Sequence, residues 1–334
     1  MSDAGQPSST VIVCAYTLDR LELTERCLTS VLAQDPRPDQ VVAVIDHNDE
    51  LQAVISGRFP TVEVIANRGP QGLSEARNSG VDVARGDVIA FVDDDAEPRP
   101  GWLGALLDAF RDPKTMVVGG LAIAAWETGQ PSWFPDEYLW VVGCSYQGQR
   151  TAGRIRNPLG CNMAFRREVF ELVGGFEPAV GRLGSHPVGA EETELCVRLV
   201  RAKPEARIAI VSEAVVDHAV PAARGEIRYF VRRCYYEGVS KAVVHGLSDH
   251  AALVPEGDFI LRTLTRGTVR RLGAAVRVHR PFDQLRAITA LWLGLGAAGV
   301  GYLYGKLRST VLKAGPVTPA ASTQADDGTG TGVH

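Results

Sequence analysis

The chain predicts an α/β fold, a mostly parallel sheet with helices on both faces, followed by a wholly helical C-terminal region. Two observations lead there. Short β-branched runs alternate with helical patterns through the first half, the order that builds parallel sheets. The first four of these apolar runs each end in polar residues, as a strand buried on both faces does. At 334 residues the chain can bury a full α/β core and still carry a second region.

Val11–Ala15 is the first strand, and Leu21–Ala33 is helical, with Leu21, Cys27, Leu28, Val31 and Leu32 near one face. Val41–Ile45 is the second strand and ends at Asp46; Val62–Ile65 is the third. Ser74–Ala84 is helical, with Ser74 as its cap. Val88–Val92 is the fourth strand and runs into Asp93, Asp94 and Asp95, after which a helix spans Gly101–Arg111. Residues 114–185 are less regular. They hold strand-like Met116–Ala125, an aromatic stretch (Trp126, Trp133, Phe134, Tyr138, Trp140) and the segment Gly160–Phe176. That stretch suits stacking on sugar rings and core packing equally well. A helix over Glu192–Ala202, a strand over Ile208–Val211 and a further short run to His218 precede the helical region that begins at Gly225. The organisation is thus a polar lead-in (1–9), an α/β domain (10–220), a helical region (221–313) and a small-polar tail (314–334) expected to be disordered.

A net charge of −4 excludes nucleic-acid binding in the simple electrostatic sense. That total hides an asymmetry: the stretch from Arg224 to Lys313 is basic, with Arg228, Arg232, Arg233, Lys241, Arg270, Arg271 and Arg286 among its cations. A local basic segment on an acidic chain implies an anionic partner for that part alone. Within it, Ile288–Gly305 is uncharged and just long enough to cross a bilayer. It fits a membrane-embedded or in-plane helix, and equally one buried against the rest of the chain or another subunit. The six cysteines are scattered with no C-x-x-C pair, which fits a reduced, cytoplasmic setting and no structural zinc. The first ten residues lack the basic and apolar segments of a signal peptide.

Open parallel sheets bind ligands beyond the carboxyl ends of their strands. Tyr16, Thr17 and Asp19, then Asp46, Asn67 and Asp93–Asp95, arrive at those ends in turn. Three adjacent carboxylates repel one another unless a cation neutralises them. Their oxygens suit Mg²⁺ or Mn²⁺ bridged to a diphosphate, with Asp93 and Asp95 on one side of an extended segment. The plainer alternative is a solvated acidic turn. Arg77 and Asn78, early in their helix, face the rim, where an arginine offsets diphosphate charge. Glu191 and Glu192 open a helix. The macrodipole alone explains acids there, but Glu192 also suits a general base. His218 is either structural or an additional ligand for Mn²⁺.

In order, VIVCAYTLDR, VVAVIDHND, GLSEARNSGV, DVIAFVDDDAEP, GCNMAFRREVFELVGGFEP, GAEETELCVRL and VVDHAVP resemble the family 2 glycosyltransferases of GT-A fold, over residues 10–220. The resemblance implies a Rossmann-like sheet with a nucleotide-sugar half (10–113) and an acceptor half (114–220). It implies an inverting, metal-dependent transfer of a sugar from a nucleotide diphosphate, by default a UDP-sugar. The acceptor would be a hydroxyl of a saccharide, lipid-linked or small-molecule compound. By the same resemblance Ala15, Tyr16 and Asp46 border the base and ribose, and Arg77 and Asn78 help hold the donor. Asp93 and Asp94 are donor-side acids, and Asp95 binds the metal with His218. Gly160, Cys161 and Asn162 line the acceptor pocket, and Glu192 is the base with Glu191 beside it. The family usually reads Glu-Asp at that place; the longer Glu192 moves the carboxylate outward by about 1.5 Å. The C-terminal helices would meet an anionic membrane surface, on the inner face of the plasma membrane, or a lipid-linked acceptor. Two other readings compete. A sugar-phosphate nucleotidyltransferase would carry a Gly-rich phosphate loop after strand one, yet Cys14–Arg20 has no glycine. A non-catalytic nucleotide-sugar-binding or membrane scaffold domain draws on the Glu-for-Asp change; the intact aspartates, Arg77-Asn78 and His218 oppose it.

Overall fold

A computed structural model describes residues 6–153, 155–178, 191–247, 264–277 and 281–314. Residues 315–334 of the tail expected to be disordered lie outside the described residues.

Strands β1 (Ser9–Ala15), β2 (Gln40–Ile45), β3 (Glu63–Ala66) and β4 (Val88–Asp93) pair in parallel. They belong to an eight-stranded sheet that also holds β5 (Ala96–Pro98), β6 (Thr115–Trp126), β7 (Asn162–Arg166) and β8 (Arg207–Val220), in the order β3-β2-β1-β4-β7-β6-β8-β5. The sheet is mixed. Strand β7 runs antiparallel between β4 and β6, β8 is parallel to β6, and β5 is antiparallel to β8.

Side-chain alternation divides the core into two layers. Val11, Val13 and Ala15 pack with α1 (Leu21–Leu32), α2 (Asp49–Arg58) and α4 (Trp102–Ala109). Ile12, Phe91, Met163 and Phe165 pack on the opposite face with α3 (Leu73–Val83), α5 (Arg167–Val173) and α6 (Glu191–Ala202). All six cysteines are free thiols, and five are buried as small hydrophobes.

Three differences from the sequence reading have physical causes. Helix α2 was not anticipated because only Leu51 and Ile55 reach the core; Asn48 starts it by accepting the Leu51 amide at 2.9 Å. Ser74 is not the cap of α3. Gly72 takes that place at φ 146°, a conformation side chains resist, while Ser74 lies buried inside the helix and donates to the Glu177 carbonyl. The two runs expected around Ile208–Val211 and His218 are one strand. Its pairing jumps from Gly119↔Ile210 to Leu121↔Val215, so residues 211–214 bulge from the ladder.

The helical region holds α7 (Ile227–Leu247), α8 (Thr265–Arg277) and α9 (Pro281–Ala314). It docks on the aromatic stretch, which is therefore core: Phe134 and Tyr138 meet Phe230 at centroid distances of 5.4 and 5.2 Å. Tyr138 donates to the Leu291 carbonyl at 3.0 Å, and buried Glu137 accepts from Arg271 at 2.7 Å and Arg270 at 3.1 Å. Glycines let α7 and α9 touch backbone to backbone. A Cβ on Gly301 would lie 1.9 Å from the Tyr235 carbonyl oxygen. Replacing Gly301 with Val should therefore force these helices apart and cost about 1–3 kcal/mol. A lowered unfolding midpoint, with earlier proteolysis of the C-terminal helices, is the expected result.

Candidate active site

The rim begins where β1 and β2 end side by side. The Asp46 amide donates to the Ala15 carbonyl at 2.8 Å, and Tyr16 beyond it is exposed. The buried Asp46 carboxylate accepts from Asn67 Nδ2 at 2.7 Å and from the Gly72 amide at 3.0 Å. It thereby ties the start of α3 to the first two strands. Ala15, Tyr16 and Asp46 are thus neighbours at this end of the sheet.

Sheet register assembles the acid cluster. After Asp93 the chain turns through Asp94 and Asp95 into β5, whose Ala96 pairs with His218 on β8. The Ala219 amide donates to the Asp95 carbonyl at 2.8 Å, and Asp95 Oδ1 lies 3.3 Å from His218 Nε2. One ligand atom each from Asp93, Asp95 and His218 lies within 4.8 Å of the others. Two carboxylate oxygens and an imidazole nitrogen so gathered fit a divalent cation. Asp93, expected on the donor side with Asp94, thus stands with Asp95 and His218 in this cluster. Asp94 points elsewhere: its Oδ1 accepts from Arg20 Nη1 at 3.0 Å, and Oδ2 is buried without a hydrogen-bond partner among the described residues. Burial, with Asp95 beside it, pushes the Asp94 carboxyl up to about 7.

Arg77 joins this cluster to the start of α6. Only 2% exposed, it donates to Glu191 at 2.8 Å, Asp93 at 3.1 Å and the Gly160 carbonyl at 3.0 Å. Burial opposes its charge, but Asp93 and then Glu191 outweigh that and hold its pKa above the ordinary arginine range. Glu191 is thus a bracing residue. Glu192 is only partly buried, with Asn157 Nδ2 at 3.4 Å from its Oε1. Burial, then the adjacent Glu191 charge, pushes the Glu192 carboxyl up to about 7, the range a base needs near neutrality. Gly160 lies between Arg77 and Glu192; a Cβ there would come 3.4 Å from Arg77 Nη2 and 3.9 Å from Glu192 Oε2.

Two expectations need correction. Asn162 does not line an acceptor pocket. It is fully buried; its amide donates to the carbonyls of Leu121 and Ala214, both at 2.9 Å, and accepts from Trp102 Nε1 at 2.8 Å. It supplies donors where the β8 bulge interrupts the ladder. Asn78 does not hold the donor through its amide, which is engaged by the Phe176 backbone at 2.9 and 2.8 Å. Two site residues were missed. Arg20 Nη1 lies 3.2 Å from Asp95 as well as against Asp94, and Arg224 Nη2 lies 3.5 Å from Asp95 Oδ2. Arg20 sat in plain view at the end of VIVCAYTLDR, and Arg224 was read only as part of the basic stretch.

The profile of Glycosyl transferase family 2 matches residues 10–174. A glucosyl-dolichyl phosphate glucuronosyltransferase of Haloferax volcanii is 31% identical over 308 residues, 91% of this chain and 97% of that protein. This chain belongs to glycosyltransferase family 2. The transferase is also 27% identical over 231 residues to the succinoglycan biosynthesis protein ExoM of Rhizobium meliloti, covering 68% of this chain and 71% of that one. Its fold superposes at a TM-score of 0.60 on the mannosyltransferase PcManGT from Pyrobaculum calidifontis, solved with GDP-Man and Mn²⁺. That match covers 91% of this chain and 89% of the other at 19% identity, and it shows the GT-A fold. Glycosyl transfer from a sugar-nucleotide donor is therefore the activity of this family 2 transferase. The nucleotidyltransferase and non-catalytic readings are not favoured.

The bracing role of Asn162 is open to test. Asn162→Ala leaves the Trp102 indole and two carbonyls unsatisfied, each at about 1–3 kcal/mol. Urea unfolding should show a loss of about 3 kcal/mol or more, while the folded variant of the transferase keeps its nucleotide affinity.

Proposed function

We propose that the chain is an inverting transferase that uses a divalent metal to move a sugar from a UDP-sugar to a hydroxyl of a lipid-linked saccharide. The observation that carries this reading is the convergence of Asp93, Asp95 and His218, joined through Arg77 to the helix that bears Glu192. The mixed oxygen and nitrogen set suits Mn²⁺ better than Mg²⁺, which prefers oxygen ligands and keeps its waters.

Glu192 takes the acceptor's hydroxyl proton as that oxygen attacks the anomeric carbon from the face opposite the diphosphate. The new carbon–oxygen bond forms as the bond to the diphosphate breaks, and the anomeric configuration inverts. A metal ion held by Asp93, Asp95 and His218 would supply Lewis-acid stabilisation of the departing diphosphate. Arg77 fixes the spacing between the donor acids and the base, and Gly160 leaves the space between them open. Asp46 and Ala15 present the rim on which the nucleotide's base and ribose rest.

A base must be deprotonated to act. With the Glu192 carboxyl near 7, kcat/KM should rise with pH through about 7 and level off above it. Glu192→Gln should lower kcat by about 10²–10⁴-fold and leave the thermal stabilisation by UDP with Mn²⁺ intact. Asp95→Ala should abolish that stabilisation. Full metal-dependent turnover by Asp95→Ala would falsify the proposal.

The lipid-linked acceptor draws support from the relative named for a dolichyl phosphate glycolipid and from α9. Phe282–Leu307 is the one described segment long and apolar enough to cross a membrane, with only 28% of its apolar window buried. Trp292, Val300, Leu303 and Leu307 are exposed along it. An open groove of about 800 Å³ beside them is lined by Ile227, Val231, Tyr235 and Trp292, together with Arg228 and Arg232. We read this as a peripheral docking face on the inner surface of the plasma membrane, where each arginine adds about 1 kcal/mol of attraction to anionic lipid. The full chain should sediment with phosphatidylglycerol vesicles and be released by high salt. Equal binding to uncharged vesicles would remove the electrostatic part of the reading.

A further inference from the structure

His218, Arg20 and Arg224 all approach Asp95, and they differ in how firmly they are held. His218 is fixed by the β5–β8 pairing. Arg20 is held twice, by Asp95 and by Asp94, and its guanidinium lies 5.6 Å from the centroid of the Tyr16 ring. Arg224 differs from both. Among the described residues its ion pairing is a single contact of 3.5 Å to Asp95 Oδ2. It sits on a one-turn 3₁₀ segment, Ala222–Gly225, between β8 and α7, next to exposed Ala222 and Ala223. Its side chain is only 13% exposed, so what marks it out is the single long contact rather than exposure, and a rotamer change releases it from Asp95.

A divalent cation and a guanidinium repel when they share one carboxylate. The reading of Asp93, Asp95 and His218 as metal ligands, on which this inference rests, therefore requires something to yield. Arg77 cannot do so without breaking its buried pair with Glu191, nor Arg20 without abandoning buried Asp94. Two carboxylates and one divalent cation come to zero net charge, and Arg77 and Arg20 stay committed to Glu191 and Asp94, so a diphosphate brought to them gains from a further cation. We infer that Arg224 is a displaceable counter-ion: it neutralises Asp95 in the metal-free chain and turns to the donor's diphosphate once the metal takes that oxygen. Its planar fork suits phosphate oxygens. Metal binding then releases the group that secures the donor, so the metal precedes the nucleotide.

The test uses the opposite signs this requires. Mn²⁺ is titrated calorimetrically into the full chain, and then UDP into the Mn²⁺-saturated chain. Removing the competitor in Arg224→Ala should tighten Mn²⁺ alone by about fivefold or more and weaken UDP by about tenfold. Arg224→Lys keeps the charge but loses the fork. It should hold Mn²⁺ affinity near wild type and still weaken UDP. Changes of the same sign in Arg224→Ala, or none, overturn the exchange while leaving the metal site standing. Wild-type Mn²⁺ affinity in Asp95→Ala instead removes the metal-site reading, and the exchange with it.

Discussion

A buried guanidinium organises this active site. Arg77 is nearly inaccessible, so its charge is tolerable only because Asp93, Glu191 and the Gly160 carbonyl surround it. Those three groups come from the end of β4, the start of α6 and the segment before β7. One side chain thus draws together the acid cluster, the start of α6 and the glycine between them. Loss of any single partner would leave a buried charge incompletely met, which breaks a structure more severely than loss of a surface pair.

Much of this was legible in the sequence. Parallel strands buried on both faces write long apolar runs, and β1, β2 and β4 read cleanly for that reason. The aspartates and His218 were legible as chemistry, because three adjacent acids at a strand end need an explanation. What pattern could not supply was direction. Asn162 stands in a motif, yet it points into the core to repair an interrupted ladder. Arg20 and Arg224 lie far apart in sequence and meet Asp95 only through tertiary folding. Helix α2 buries too few residues to leave a periodic trace.

The aromatic stretch shows how position overrides chemical suggestion. Trp126, Trp133, Phe134 and Tyr138 had the composition of a sugar-stacking platform. The structure turns them toward Phe230 and Leu291, where they form the seam between the α/β domain and its helices. Glu137 reinforces that seam through Arg271. The helical region is therefore fastened by buried contacts on one side, while the far side of α9 stays apolar and bare.

The bulge in β8 reaches further than its place in the sheet suggests. From its last residue onward Ala214, Val216, His218 and Val220 take the inward phase, and Asp217 faces outward to pair with Arg99. A strand's facing has period two, so shortening or lengthening the bulge by one residue, with the pairing before it held, would invert everything downstream. The imidazole would then look outward, with a carboxylate or a methyl group in its place beside Asp95. An irregularity some distance along the strand is thus the phase marker that decides whether a nitrogen stands beside Asp95.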